Sequence, residues 1–396
     1  MIHHLRNQYN SDFSVEKYHQ LLNRLKDELG HEVLFRVAET PVFVPKEFKH
    51  QLLDACDTIF NTINTADFYK NSEGALKGMP HVPGNEGKPV FMQLDFGVCE
   101  ENGRLIPQLI EIQGFPSLYL FQTYLSKAFR ATFNIPEDFN SFLNDVNDAS
   151  YIEMLREIIV GDSKPENVIL LEIEPEKQGT NIDFYATQKA LGIKVLCLTK
   201  LKKEGKTLYY LDENNEKVKI EKIYNRVIFD DLEKRTDLTF EFNFSDEVDV
   251  EWIGHPNWFF RISKYSLPLI QNKYVPHSQF LNTVTTIPSD LENYVLKPLF
   301  SFAGMGVKIN ITEDDINAIE DKENYILQRK VNYKPIVETM DVPAKCEIRM
   351  MALWLPNQEK PVIVNNICRL SKGEMVGVRY NKDKEWVGGT VCFFEN

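Results

Sequence analysis

One stretch narrows the folds open to this chain more than any other. Two apolar runs, 90–98 and 105–113, flank Glu100-Glu101-Asn102-Gly103. Asn-Gly between such runs signals a tight β-hairpin, because both residues tolerate the positive φ that hairpin turns need. Yet the runs carry carboxylates, Asp95 in Gln93-Leu94-Asp95-Phe96 and Glu111 in Ile110-Glu111-Ile112-Gln113. Either would be costly to bury unpaired. Register decides whether they meet. A two-residue turn at 102–103 pairs Asp95 with Ile110 and sends the carboxylates to opposite faces. A three-residue loop, 101–103, pairs Asp95 with Leu109 and Glu111 with Gln93, so that Asp95, Glu111 and Gln113 share a face. We expect this odd-length loop, or a bulge of equal effect. Oxygen donors gathered in this way suit a hard cation such as Mg²⁺.

The rest of the chain divides into three. Helices are expected at 15–29 and 46–64 around an extended stretch at 39–45, and the Gly- and Pro-rich 71–89 reads as a loop. Further helices are expected at 117–131, 136–146 and 149–159. A buried strand at 167–173, a helix at 181–191 and a second strand at 193–198 make a βαβ unit. A polar hairpin (207–220), a strand (222–229) and a helix (about 261–270) follow. The last third reads as antiparallel sheet, with strands at 293–297, 306–310, 325–330, 345–354, 361–369 and 387–393 and a helix at 312–319. Boundaries near 162 and 285 give segments 1–162, 163–285 and 286–396.

Charge and cysteine usage limit the partners. With 58 acidic and 45 basic residues the net charge is −13, which speaks against sequence-independent binding to nucleic acid or an anionic membrane. No stretch approaches the roughly 18 apolar residues of a membrane span. The six cysteines are scattered without a CxxC and read as reduced core residues of a cytoplasmic protein. No signal peptide follows Met1-Ile2, and His3-His4 reads as a flexible terminus. Neither a P-loop nor GxSxG, HExxH or an EF-hand loop occurs.

Three further stretches carry chemistry. In Tyr294-Val295-Leu296-Lys297-Pro298-Leu299-Phe300-Ser301-Phe302-Ala303-Gly304-Met305-Gly306-Val307 a lysine ends an apolar strand and a small-residue loop follows. Backbone N–H groups of such a loop can approach phosphate oxygens, and the lysine supplies a point charge. In Lys345-Cys346-Glu347-Ile348-Arg349, alternation sets Glu347 and Arg349 on one face, where Arg349 can clamp phosphate or pair with Glu347. Arg369 lies at another strand end, in Ile367-Cys368-Arg369. Tyr325-Ile326-Leu327-Gln328-Arg329-Lys330-Val331 is a strand of a kind that can run past an adenine ring.

Together these stretches resemble the ATP-grasp superfamily, in the circularly permuted order of the glutathionylspermidine synthase-like proteins, because Asp95 and Glu111 precede Lys297. The resemblance covers most of 90–396. It implies an α/β (α+β) fold with two antiparallel-sheet subdomains in permuted order and a Rossmann-like region before the nucleotide site. By the resemblance, Lys297 binds nucleotide phosphates beneath a loop containing Ser301, Ala303, Gly304 and Gly306. Gln328, Arg329, Lys330 and Val331 form the adenine-binding hinge. Asp95, Glu111 and Gln113 hold Mg²⁺, and Arg349, with Arg369 as the weaker candidate, meets phosphate. A second phosphate lysine is Lys264 or Lys273. Gln113 departs from the asparagine usual in that family.

The chemistry implied is ligation of a small-molecule carboxylate to an amine with ATP and Mg²⁺, through an acylphosphate. Arg226, after Tyr224-Asn225, is the candidate contact for a substrate carboxylate. The alternative is a degenerate module of the same fold that binds nucleotide or a partner without turnover, which Gln113 favours.

Overall fold

The computed structural model describes every residue except 302, 303, 378 and 379. Its organising element is a five-stranded antiparallel sheet in the order Gly388–Thr390, Val362–Ser371, Lys345–Leu353, Phe91–Glu101, Arg104–Gln113. The hairpin closes through a two-residue turn, with Asn102 at φ 50° and Gly103 at φ 77°, and Glu101 opposite Arg104. The turn is therefore shorter than the odd-length loop expected. A register shift between Asp95 and Phe96 restores the outcome: Phe96 faces Leu109 but Asp95 faces Glu111, and Gln93 faces Gln113. Ile110 is the extra residue of a β-bulge, and it turns both acids to one face.

The other face is apolar. Met92, Leu94, Phe96, Ile112, Ile348, Met350, Cys368 and Leu370 pack with Phe48, Leu52, Ile59 and Phe60 of the helix Lys46–Ile63 in one buried cluster. Alternation at period two thus sorts each strand into a core side and a polar side.

The βαβ unit forms as expected. Val168–Glu172, helix Asn181–Leu191 and Lys194–Cys197 belong to a parallel sheet ordered Glu251–Ile253, Lys222–Asn225, Val168–Glu172, Lys194–Cys197. A third sheet, antiparallel, sets Tyr325–Arg329 between Ser278–Phe280 and Tyr294–Pro298. The helix Val15–Leu29 has its expected limits, with Ser14 accepting from the Lys17 N–H and Gly30 stopping it at φ 73°.

Several expectations are corrected. The terminus holds a helix, His3–Asp12, anchored by buried Leu5, Arg6 and Tyr9. No helix forms over 136–146; the short strand Phe139–Asn140 pairs with Cys392–Glu395 instead. The strand from 222 ends at Asn225, and a helix begins at Phe229. The stretch 306–310 contributes only a bridge between Lys308 and Leu296. The 261–270 helix is a short α-helix, Asn257–Arg261, then a 3₁₀ segment, Lys264–Leu269, which contains Pro268. The segments 1–162 and 286–396 share the five-stranded sheet through the pairing of 345–353 with 91–101.

Candidate functional site

The polar face of the five-stranded sheet collects the charged groups. Asp95 is fully buried at the centre. Arg349, directly across from it on the next strand, donates from Nε at 2.5 Å and from Nη2 at 2.6 Å, a bidentate pair. Arg349 Nη1 also donates to Gln93 Oε1 at 3.0 Å. Arg369 Nη2 donates to Asp95 at 2.6 Å and to its cross-strand partner Glu347. The Tyr333 hydroxyl donates to Glu347 Oε2 at 2.5 Å. Burial pushes the Asp95 carboxyl up, but the Arg349 and Arg369 guanidinium groups outweigh it and hold it below the ordinary carboxylate range. Burial raises that of Glu347, against the pull of Arg369.

Beside this network lie two buried lysines. Lys297, in the strand Tyr294–Pro298, donates to the carbonyl of the bulged Ile110 at 3.0 Å. Burial lowers its pKa to about 8, opposed by Glu111 and reinforced by Lys264. Lys264 donates to the Ser301 carbonyl and stands 3.8 Å from Glu111 Oε2. Lys273 instead pairs with Asp54 at 3.7 Å on the surface, 75% exposed. The structure thus brings Lys264, not Lys273, to the cleft, which Glu111, Gln113, Phe115, Leu299 and Ser301 also line. Gly304 and Gly306 both take φ 70°, and a Cβ on Gly306 would meet Pro298 at 2.7 Å, so both positions call for glycine. Ala303 lies outside the described residues.

The four residues expected as the adenine hinge lie at and just past the end of one strand, in different surroundings. Gln328 is buried with Nε2 unpartnered, while Arg329 is exposed and pairs with Asp290 at 2.8 Å. The Lys330 N–H bonds Asn293 O at 2.7 Å. Val331 and Tyr333 pack over Gly97, where an added Cβ would lie 3.0 Å from both side chains. Arg226 is 3% exposed at the carboxyl end of its parallel strand, its guanidinium 4.6 Å from the centroid of Phe115; its Nε and Nη1 have no hydrogen-bond partner, and its charge bears on the buried carboxyls of Glu172 and Asp183. Phe115 therefore stands between Arg226 and the lysine cleft.

Asp95, Glu111 and Gln113 share a face, yet their donors do not make a cation site. Both Asp95 oxygens accept from guanidinium groups. Gln113 turns its amide nitrogen, not its oxygen, to Glu111 Oε1 at 2.6 Å. Glu111 itself faces Lys264 and, at 3.9 Å, Arg349. Mg²⁺ demands near-octahedral oxygen ligation. Among the described residues no group of three His, Cys, Asp or Glu side chains is placed to hold a metal ion. No helix among them is long and apolar enough to cross a membrane.

No sequence signal marks Tyr333, and the sequence offers pairing with Glu347 as one of two roles for Arg349, the other being phosphate. The alternation of 347 with 349 was the available signal, but cross-strand neighbours decide partners. Here they match Arg349 with Asp95 and Glu347 with Arg369.

The solved structure of a glutathione synthetase-like effector from Globodera pallida, in its apo form, superposes on this fold. The TM-score is 0.58 over 95% of this chain and 96% of that one, at 14% identity. This chain thus shares its overall fold with that effector. No family model matches the sequence, and no curated protein does.

Proposed function

We propose that this protein is an ATP-dependent ligase of the permuted ATP-grasp type that joins a carboxylate to an amine. The observation that carries the reading is the convergence of Lys264 and Lys297, both under 10% exposed, beneath the Ser301 loop and beside Glu111. Buried lysines are costly unless an anion is to be met there. A nucleotide triphosphate is the ligand such a pair would serve, next to Arg349 and Arg369. In the reaction proposed, a substrate carboxylate oxygen attacks the γ-phosphorus and ADP leaves. An amine then attacks the acyl carbon, phosphate leaves, and an amide results. This chain's own part is to position the reactants and neutralise charge through Lys264, Lys297, Arg349 and Arg369. No step is assigned to a resident metal, since the donor set does not fit one. Arg226 and its unpartnered N–H groups would meet a substrate carboxylate behind Phe115. The substrates are small molecules, with the protein placed in the cytoplasm.

A second reading has its own observation. The Gln113 amide donates to Glu111, and both Asp95 oxygens are taken, which favours a module that binds nucleotide without turnover. The test is ADP release across a panel of carboxylates and amines, beside nucleotide binding, for wild type and Lys297→Ala. Turnover that Lys297→Ala abolishes supports the ligase. Binding that Lys297→Ala weakens, with no ADP from any pair, supports the module. No binding of any nucleotide overturns both.

A further inference from the structure

The disagreement between the acidic face and a metal has a positive side. The face holds three carboxylates, Asp95, Glu111 and Glu347, and four cationic side chains converge on them: Arg349, Arg369, Lys264 and Lys297. The cations outnumber the acids by one without any ion from solution. A divalent cation approaching Asp95 would have to displace two guanidinium groups held at 2.5–2.6 Å and stand beside two lysines. Coulomb repulsion and the loss of charge-assisted hydrogen bonds both oppose that exchange in a buried setting.

The arginines are also placed to do more than neutralise Asp95. Arg369 uses one nitrogen, Nη2, for both acids, while its Nε is buried with no partner and its side chain is 35% exposed. A guanidinium held rigidly by acids on one edge, with donors left over, is a preorganised phosphate receptor.

We propose that in this chain Arg349 and Arg369 take the place of a divalent cation over Asp95, so that the cleft binds a polyphosphate anion without metal. The proposal rests on the reading that the cleft receives a nucleotide's phosphates. It names the counter-charge as the chain's own.

Calorimetric titration of the full chain with inorganic tripolyphosphate and with ATP, in EDTA and in excess Mg²⁺, tests it. The expected affinity in EDTA is within about threefold of that in Mg²⁺. Arg369→Met should weaken binding in EDTA by about tenfold or more, with Arg369→Lys recovering part of it. Electron spin resonance of Mn²⁺ added to the protein alone should show no tightly bound ion. Binding that appears only with Mg²⁺, or a tight Mn²⁺ site on the free protein, overturns the proposal and leaves the nucleotide reading standing. Absence of binding in both buffers overturns the two together. The wild-type comparison stands whether or not the variants fold.

Discussion

Lys297 shows what a buried charge costs this protein. Burial lowers its pKa from the ordinary lysine value of 10.5 to about 8. Below pH 8 both folded and unfolded states carry the charge, and the folded state bears the whole penalty, roughly 3 kcal/mol at 1.36 kcal/mol per pKa unit. Above pH 8 the folded lysine discharges while the unfolded one stays protonated, so the folded state binds fewer protons and the penalty shrinks towards pH 10.5. Lys297→Met should therefore raise the urea midpoint at pH 7, with the gain fading above pH 8, while polyphosphate binding is lost. Failure of the midpoint to rise would mean that Glu111 and the Ile110 carbonyl fully compensate the charge.

Asp95 has the opposite sign. Its carboxyl lies below the ordinary range, so its contribution is present above the unfolded carboxylate pKa and is lost as pH falls through the lower folded value. Asp95→Ala leaves Arg349 buried without its main acid and should cost about 3–5 kcal/mol at neutral pH, measured by denaturant unfolding. The deficit relative to wild type should narrow in strong acid, where wild-type Asp95 is itself protonated.

At the scale of the element, a single residue sets the polarity of the site. With the two-residue Asn102-Gly103 turn alone, Asp95 and Glu111 would face apart; the Ile110 bulge reunites them and presents its carbonyl to Lys297. Deleting Ile110 should leave a chain that folds, because the turn and the pairing from Phe96 outward are untouched. It should also keep Glu111 opposite Asp95 and Gln113 opposite Gln93, because Glu111 then follows Leu109 in a regular ladder, while removing the carbonyl that Lys297 meets and weakening polyphosphate binding. Circular dichroism with the same titration reads both outcomes. Unchanged binding would show that the Ile110 carbonyl does not position Lys297 for the anion. The hairpin was legible in the sequence because Asn-Gly is local turn chemistry. Which of the two expected devices, odd-length loop or bulge, brings the acids together was not, because a bulge answers to the neighbouring strand and the lysine behind it.

At the scale of the molecule, the sheet carrying the site is assembled from 91–113 and 345–390, with the parallel sheet inserted between them in sequence. The strand Lys345–Leu353 is central, paired on one side with Val362–Ser371 and on the other with Phe91–Glu101. A fragment comprising 286–396 should therefore be unfolded alone, lacking the partner for that strand and the helix Lys46–Ile63 beneath it. Addition of the complementary 1–285 fragment should restore structure, read by circular dichroism. A stable fragment of 286–396 would show that the C-terminal strands carry a core of their own. All six cysteines are free, and five of them are buried, four in the cluster under this sheet.

The sequence by itself determined what short-range chemistry controls. It specified the place of the hairpin, the βαβ unit, the helix limits at Ser14 and Gly30, and the alternation that puts Glu347 with Arg349 and Gln93 with Asp95. These follow from φ preferences, capping and the twofold period of a strand. Only the tertiary structure decided which opposite charges meet. Arg349 and Arg369 reach Asp95 across separations of 254 and 274 residues, and Lys264 rather than Lys273 enters the cleft. No local pattern encodes such pairings, because the energy of a buried charge depends on what the rest of the chain brings within a few ångströms of it.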